Sequence, residues 1–498
     1  MCGIFCMLCD DKLQATDFHS KHVEKLISNR GPDHSQIVHR DGILFHGAVL
    51  WQQGKDACVQ PVVNDDTVLL FNGDLYMDLG NHESDTEFLF ANVNKAESEV
   101  ELLEFFNTIQ GPFSVVFLFK GKLYFARDSL GRNSLIVGRQ GNSIFISSVI
   151  DPAGLELQAI ELSPLGVFAI DLITKHVELH PFQELDTHEH NLNQLEELKK
   201  MFEITVKVKL DPEWLRSSGE SPKYSFDRVC SGVDCSMIAV LAAKFIDADQ
   251  PVDLMNVAFE KVSYAKKTEN INWNVPDRLT GLETVEELRR LCPSRKWNFI
   301  KINITRDELG NQLTKLSSLV FPLSNVLDES LGAALYFASR GMGSVDEQPY
   351  SSPCRVILIG SGADELFGGY TRHRNAFKRS TEDRDLLKEE LDLDWARLPS
   401  RNLARDDRVI ADNGITVRAP FIEEHFVNFV RRLKPLQRCY PALPEGVGDK
   451  LLLRLCAHKL GLKNCSKFRK RALQFGSRIA DKRQSAKDKS LLLTNGVK

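Results

Sequence analysis

Two short apolar stretches, each running into a loop of small residues that carries an aspartate, constrain this chain more than any other feature. In the first, Val229 leads into Cys230-Ser231-Gly232-Val233-Asp234-Cys235-Ser236 and then into an apolar run over 237–243, which reads as strand, tight loop and helix. Ser231, Gly232 and Ser236 are small enough to let backbone N–H groups approach an anion, and the start of the helix adds the positive end of its dipole. A phosphate fits there, although no Gly-Lys-Ser/Thr ending makes it a Walker loop. In the second, Val356-Ile357-Leu358-Ile359 has the continuous apolar character of a buried parallel strand. It ends in Gly360-Ser361-Gly362-Ala363-Asp364-Glu365-Leu366-Phe367-Gly368-Gly369-Tyr370. If the two strands are neighbours, Asp234 and Asp364 face one crevice at the carboxyl edge of a sheet, where carboxylates and substrate phosphates together make a Mg²⁺ site. The alternative makes each Asp a helix cap; two of them on glycine-bearing strand ends favour the nucleotide reading.

The surrounding pattern supplies the sheet. Short apolar strands at 254–259 and 299–304 alternate with helical spacing, as over 328–340, which is the signature of a doubly wound parallel sheet. The N-terminal part differs. Paired strand patterns at 111–119 and 123–130, and alternating strands to about 177, favour stacked sheets with flanking helices. Helical spacing over 192–208 opens the second domain, 217–225 reads as a surface loop, 260–273 as a flap or surface insertion, and the tail from 481 as disordered. The boundary falls within 181–191, giving domains 2–185 and 190–498.

Composition narrows the partners. A chain of 498 residues that is 43% hydrophobic buries more than one core. A net charge of −5 and no long basic stripe argue against nucleic acid. No run approaches the roughly 20 apolar residues of a membrane span, so no membrane partner is expected. Eleven cysteines with no signal peptide read as reduced thiols of a cytoplasmic protein rather than a disulfide framework.

The chain begins Met1-Cys2-Gly3, and a residue as small as Cys2 permits methionine removal. The exposed thiol would then lie beside its own α-amino group, whose pKa of about 8 suits it to accept the thiol proton. Two rivals stand beside this: an ordinary cysteine at a frayed end, and a C-x3-C-x2-C cluster site of Cys2, Cys6 and Cys9. Strand alternation would put Cys9 on the opposite face from Cys2 and Cys6, whereas a cluster needs a loop.

Arg30-Gly31-Pro32-Asp33, Asn72-Gly73-Asp74 after a strand at 68–71, and Ser84-Asp85-Thr86-Glu87 resemble the class II glutamine amidotransferases. The resemblance implies that Cys2 attacks the glutamine amide, that the Asn72 side chain and the Gly73 N–H form the oxyanion hole, that Asp74 stands for an acidic binding residue, and that Asp85 holds the substrate amine. His46-Gly47-Ala48-Val49 occupies the place of the family's His-Arg-Leu or His-x-Arg-Leu, so the arginine that clamps the glutamine carboxylate is missing near Ala48.

The two aspartate loops resemble the ATP pyrophosphatase site of asparagine synthetases, whose motifs read Ser-Gly-Gly-x-Asp-Ser and Gly-x-Asp-Glu-x-Phe-Gly-Gly-Tyr. Val417-Arg418-Ala419-Pro420-Phe421 and Gly448-Asp449-Lys450 continue the likeness, which thus covers nearly the whole chain. It implies an N-terminal four-layer αββα N-terminal-nucleophile domain followed by a doubly wound ATP pyrophosphatase-like domain. ATP would be bound by Cys230, Ser231, Gly232, Asp234, Cys235, Ser236, Gly360, Gly362 and Lys450, with Mg²⁺ on Asp234 and Asp364. The first loop departs at Cys230, Ser231 and Cys235, and Ser361 replaces the glutamate of Ser-Gly-Glu-Gly-Ser-Asp-Glu. The implied function is glutamine- and ATP-dependent amide formation on aspartate or another carboxylic acid, of reduced activity. The alternative is a catalytically degenerate binding or scaffolding protein that keeps both folds.

Overall fold

The computed structural model describes residues 2–183, 198–203, 224–227, 232–260, 271–381 and 384–480. In the N-terminal part, two six-stranded antiparallel sheets share one core. The strand Gly3–Leu8 is central to the first sheet, between Ile43–Val49 and Ser143–Ser147. In the second, Thr67–Gly73 lies between Phe113–Phe119 and the short Val62–Val63. Side-chain alternation sorts the layers. Ile4, Cys6 and Leu8 meet Phe45, Val68, Leu70 and Val116 between the sheets, whereas Phe5 and Met7 turn outward with Phe18 and Ile27, which lie on the helices Lys12–His22 and Glu24–Arg30. On the far side Leu69, Phe71 and Phe117 pack beneath the helices Asp85–Lys95 and Glu99–Thr108. The order helix, sheet, sheet, helix is the αββα sandwich. Cys6 belongs to the inner core and Cys9 to the outer one, so the N-terminal thiols do not converge on a cluster.

The C-terminal part is a seven-stranded sheet in the order Gln348–Ser351, Met342–Val345, Trp297–Ile304, Val252–Phe259, Tyr224–Asp227, Val356–Leu358, Thr416–Arg418. The last five strands are parallel, and an antiparallel hairpin absent from the sequence reading closes one edge. Alternate residues feed opposite cores: Leu254, Phe299 and Leu358 face the helices Val233–Ala242 and Leu451–Lys459, while Met255, Ile300 and Ile357 face Arg306–Val320 and Val326–Ser339. Helices on both faces make the sheet doubly wound. The strand before the first aspartate loop is described over Tyr224–Asp227, and Val229, which the sequence reading took as leading into the loop, lies outside the described residues. The loop residues Cys230 and Ser231, the flap over 261–270, the tail from 481 and all of 192–208 except 198–203 lie outside the described residues. No helix among the described residues is long and apolar enough to cross a membrane.

The two parts meet through buried charge. In the helix Ala404–Ala411 the residues Arg405, Asp406, Asp407 and Arg408 are all nearly inaccessible. Arg30 donates to Asp407 Oδ2 at 3.0 Å, Arg408 pairs with Glu161 and donates to Ser134 Oγ at 2.8 Å, and Arg132 pairs with Glu424. Burial of charge demands such pairing and hydrogen bonding.

Candidate active site

Cys2 opens the central strand of the first sheet and lines a cavity of about 50 Å³ with Gln53, Gln60, Gly73, Asp74 and Asp85. Gln60 is fixed by accepting from Phe71 N at 2.7 Å and donating to Thr86 Oγ1 at 3.3 Å, which leaves its Nε2 3.9 Å from Cys2 Sγ. Burial pushes the Cys2 thiol up, so a base must take its proton. Ser84 caps the helix Asp85–Lys95 by accepting from Glu87 N, which sets Asp85 at the first turn facing the cavity. Asp85 Oδ2 accepts from Gln53 Nε2 at 2.8 Å and Leu75 N at 3.1 Å, while Oδ1 is buried and accepts nothing. Burial first, and the neighbouring Asp74 charge second, push its carboxyl up to about 8.

Asn72 and Ala48 both stand outside the wall of the Cys2 cavity. Asn72 is fully buried with its Nδ2 3.5 Å from Ser114 Oγ, and it does not line the cavity that Gly73 lines. Ala48 packs in the outer core with Phe5 and Met7, and no Lys or Arg lines the cavity among the described residues. The arginine clamp is therefore not replaced by another cation from the cavity wall.

The second site lies at the carboxyl edge of the parallel sheet. Tyr224–Asp227 pairs directly with Val356–Leu358, so the two aspartate loops share one cavity of about 300 Å³, lined by Gly232, Asp234, Cys235, Gly360, Gly362 and Asp364 among others. Lys450 Nζ lies 2.6 Å from Asp234 Oδ2 and 2.6 Å from Asp364 Oδ1. Its backbone is left-handed, with φ of 55°, at the start of Leu451–Lys459, a strained conformation of the kind that collects at working sites. Lys470, which the motifs did not reveal, also pairs with Asp364. Burial alone would raise the Asp364 carboxyl, but the Lys450 and Lys470 charges outweigh it and hold it well below the usual range. Gly362 sits at φ of 95° against Ile422, and a side chain at Gly369 would collide with Asp364 and Lys450.

Ser236 departs from its expected role. Its hydroxyl is buried and donates to Gly232 O at 2.8 Å, back-bonding into the first turn instead of facing the cavity. Lys450 likewise spends its charge on the two aspartates, and reaches a phosphate only from between them. Further residues complete the wall, Ser361 among them. Glu365 accepts from Tyr370 Oη at 2.6 Å and Asn402 Nδ2 at 3.0 Å, and Ser361 Oγ donates to Asp406 Oδ2 at 3.0 Å. Asp234 Oδ1 is buried and accepts no hydrogen bond, an orphaned oxygen suited to a cation arriving with phosphates.

A cysteine-headed αββα domain, joined to a doubly wound sheet with paired aspartates and a lysine at its carboxyl edge, defines a two-domain protein of glutamine amidotransferase and synthase parts. Residues 1–162 match the model of the glutamine amidotransferase domain, and residues 229–386 and 376–482 match that of asparagine synthase. The chain is 37% identical to an asparagine synthetase domain-containing protein of Drosophila melanogaster over 98% of this chain and 100% of that one. It is 30% identical to asparagine synthetase domain-containing protein 1 of Homo sapiens, covering 96% and 95%. To a putative glutamine-hydrolysing asparagine synthetase of Methanocaldococcus jannaschii it is 25% identical, covering 86% and 79%. The chain belongs to the family of asparagine synthetase domain-containing proteins.

Proposed function

We propose that the chain is an ATP-dependent amide-forming ligase of the asparagine synthetase type, acting on aspartate or another carboxylic acid with glutamine as nitrogen donor. The observation that carries this reading is the small cavity lined by Tyr76, Asn133, Ile359, Arg418 and Asp406. It touches both sites: Arg418 pairs with Asp74 of the Cys2 cavity, and Asp406 also lines the nucleotide cavity. In this reading it marks the route along which ammonia would pass from one domain to the other.

In this reading Cys2 attacks the glutamine amide and gives its proton to the free α-amino group. Asp85 Oδ1 accepts the substrate ammonium, and the Gly73 N–H supports the developing oxyanion. In the second site ATP lies over the loop 230–236, with Lys450 drawn toward its phosphates, and the acceptor carboxylate attacks the α-phosphorus with loss of pyrophosphate. Asp234 and Asp364 are the residues to hold Mg²⁺, which would neutralise phosphate charge. Ammonia then displaces AMP to leave the amide.

The test is pyrophosphate release from ATP with aspartate and other carboxylic acids, alongside amide formation from glutamine. Acceptor-dependent pyrophosphate and amide together support the ligase. Release of neither, with no thermal shift by ATP, rules it out.

A further inference from the structure

Asp406 occupies a junction. It sits on the helix Ala404–Ala411, just after the π-helical turn Pro399–Leu403, and lines both the nucleotide cavity and the small cavity between the two domains. It belongs to a buried triad. Arg405 donates to Asp406 Oδ1 from Nε at 3.1 Å and from one terminal nitrogen at 2.7 Å, and to Asp328 Oδ1 from the other at 2.7 Å. All three residues are at most 2% exposed. One guanidinium between two carboxylates leaves the triad one negative charge in excess, which burial makes costly.

Arg418 is paired with Asp74, and Arg132 with Asp128 and Glu424. In the nucleotide cavity Asp234 and Asp364 are balanced by Lys450 and Lys470. Asp406 Oδ1 faces Arg405, while its Oδ2 takes its hydrogen bond, among the described residues, from the neutral Ser361 hydroxyl. A second unmet acceptor lines the same nucleotide cavity: Gln474 is 5% exposed and its Oε1 accepts no hydrogen bond. A carboxylate oxygen with a hydroxyl as its hydrogen-bond donor, and an idle amide acceptor on the same cavity wall, suit a small group with N–H bonds that becomes cationic.

We propose that Asp406 is the proton acceptor for the nitrogen nucleophile as it enters the nucleotide cavity, with Ser361 holding the receiving oxygen in place. This rests on the ligase reading above. Ammonia forms a bond from nitrogen to the acyl carbon of the adenylated acceptor, and the bond from that carbon to the AMP oxygen breaks with its electron pair leaving on AMP. One proton of the nitrogen passes to Asp406 Oδ2 and later to solvent, so the products are amide, AMP and a proton. Position 361 needs no carboxylate of its own, because Asp406 brings one to the same hydroxyl.

The experiment uses the full chain with ammonium chloride as donor and reads amide formed per pyrophosphate released. A positioned base is worth roughly 10² to 10⁴-fold, so Asp406→Asn should lower that ratio by about 10²-fold or more as the adenylate is lost to water. It should also flatten the pH dependence of the ratio, and hydroxylamine should narrow the gap from the natural chain. In the double variant Ser361→Glu with Asp406→Ala, the relocated carboxylate should recover part of the ratio, which a merely structural role for Asp406 would not allow. Asp406→Glu keeps the triad's charge while moving the carboxylate by one methylene, and should lower the ratio about tenfold even if Asp406→Asn does not fold. An unchanged ratio in the folded variants overturns the assignment while leaving the ligase reading intact. No pyrophosphate from the natural chain overturns both.

Discussion

Arg418 Nε donates to Asp74 Oδ2 at 2.9 Å, an ion pair that runs from the edge strand of the parallel sheet into the wall of the Cys2 cavity. Both side chains are almost wholly buried, so the pair fixes the two domains at the place where their sites face each other. Breaking a buried pair from one side leaves a charge without its counterion and costs about 3–5 kcal/mol. Arg418→Met should therefore lower the denaturation midpoint markedly, and the double variant with Asp74→Asn should recover much of the loss. Urea unfolding of the four-member cycle measures the coupling. The single variant should also hydrolyse more glutamine per amide made, because the join beside the small cavity is loosened.

The Cys2 cavity carries its own pH dependence. Asp85 binds an ammonium only as a carboxylate, and burial together with Asp74 lifts its carboxyl to about 8. Its folded value thus lies above the unfolded one. The stability it contributes is full below about pH 4 and is lost as pH rises through about 8. Glutamine binding runs the opposite way, because the anion forms over the same upper range. The KM for glutamine hydrolysis should fall from pH 6.5 to pH 9, and Asp74→Asn, which removes the second cause of the shift, should move that fall to lower pH. A pH-independent KM would count against Asp85 as the ammonium ligand.

A buried chain of imidazoles predicts acid sensitivity in the same domain. His46 Nδ1 lies 2.8 Å from His19 Nε2, and His46 Nε2 lies 2.8 Å from Ser35 Oγ. Burial, and then the neighbouring His19, lower His46 to about 3; His19 is also lowered by burial. A histidine that resists protonation when folded but accepts a proton near pH 6.5 when unfolded gives its full stability above that pH and loses it as pH falls toward 3. Each such group contributes up to about 1.4 kcal/mol per pH unit in that window. His46→Gln should shrink the stability difference between pH 7.5 and pH 5 by about 1–2 kcal/mol, measured by urea unfolding at both values.

The aspartate loops were legible because their signal is local: an apolar run, then small residues, then a carboxylate. Placing Asp234 and Asp364 in one crevice depended on the strands being adjacent, and the pairing of Ser225 with Ile357 satisfies that condition. What lies between the aspartates was legible only in part: a lysine at a helix start reads as a solvated one, so Lys450 came to the site through the family resemblance alone, and Lys470, from a distant segment, was not found. The helix Ala404–Ala411 shows the same limit more sharply. Four consecutive charged residues, Arg405 to Arg408, pattern as a water-facing surface, yet they are buried because Arg30, Ser134 and Glu161 come from the other domain to meet Asp407 and Arg408, while Asp328 and Ser361 meet Arg405 and Asp406. Sequence likewise placed Ser236 at an anion, whereas the nearest acceptor for its hydroxyl is the carbonyl of Gly232 one turn back.

The chemistry of Cys2 depends on what lies at its own nitrogen. Its sulfur is held in a closed cavity near Gln60, and burial raises the thiol, so at neutral pH it carries its proton. No histidine lines that cavity among the described residues, Asp74 is paired with Arg418, and the idle Asp85 Oδ1 is the oxygen assigned to the substrate ammonium. The remaining base within reach is the α-amino group that methionine removal would expose, with a pKa of about 8. The mature protein should therefore lack Met1 by intact mass. Glutamine hydrolysis should disappear in Cys2→Ala and also in a chain that retains a residue before Cys2, although the second variant keeps the thiol. Amide formation from ammonium chloride should survive both changes, because the second site is untouched. Hydrolysis that persists in either variant would assign the glutaminase activity to another group.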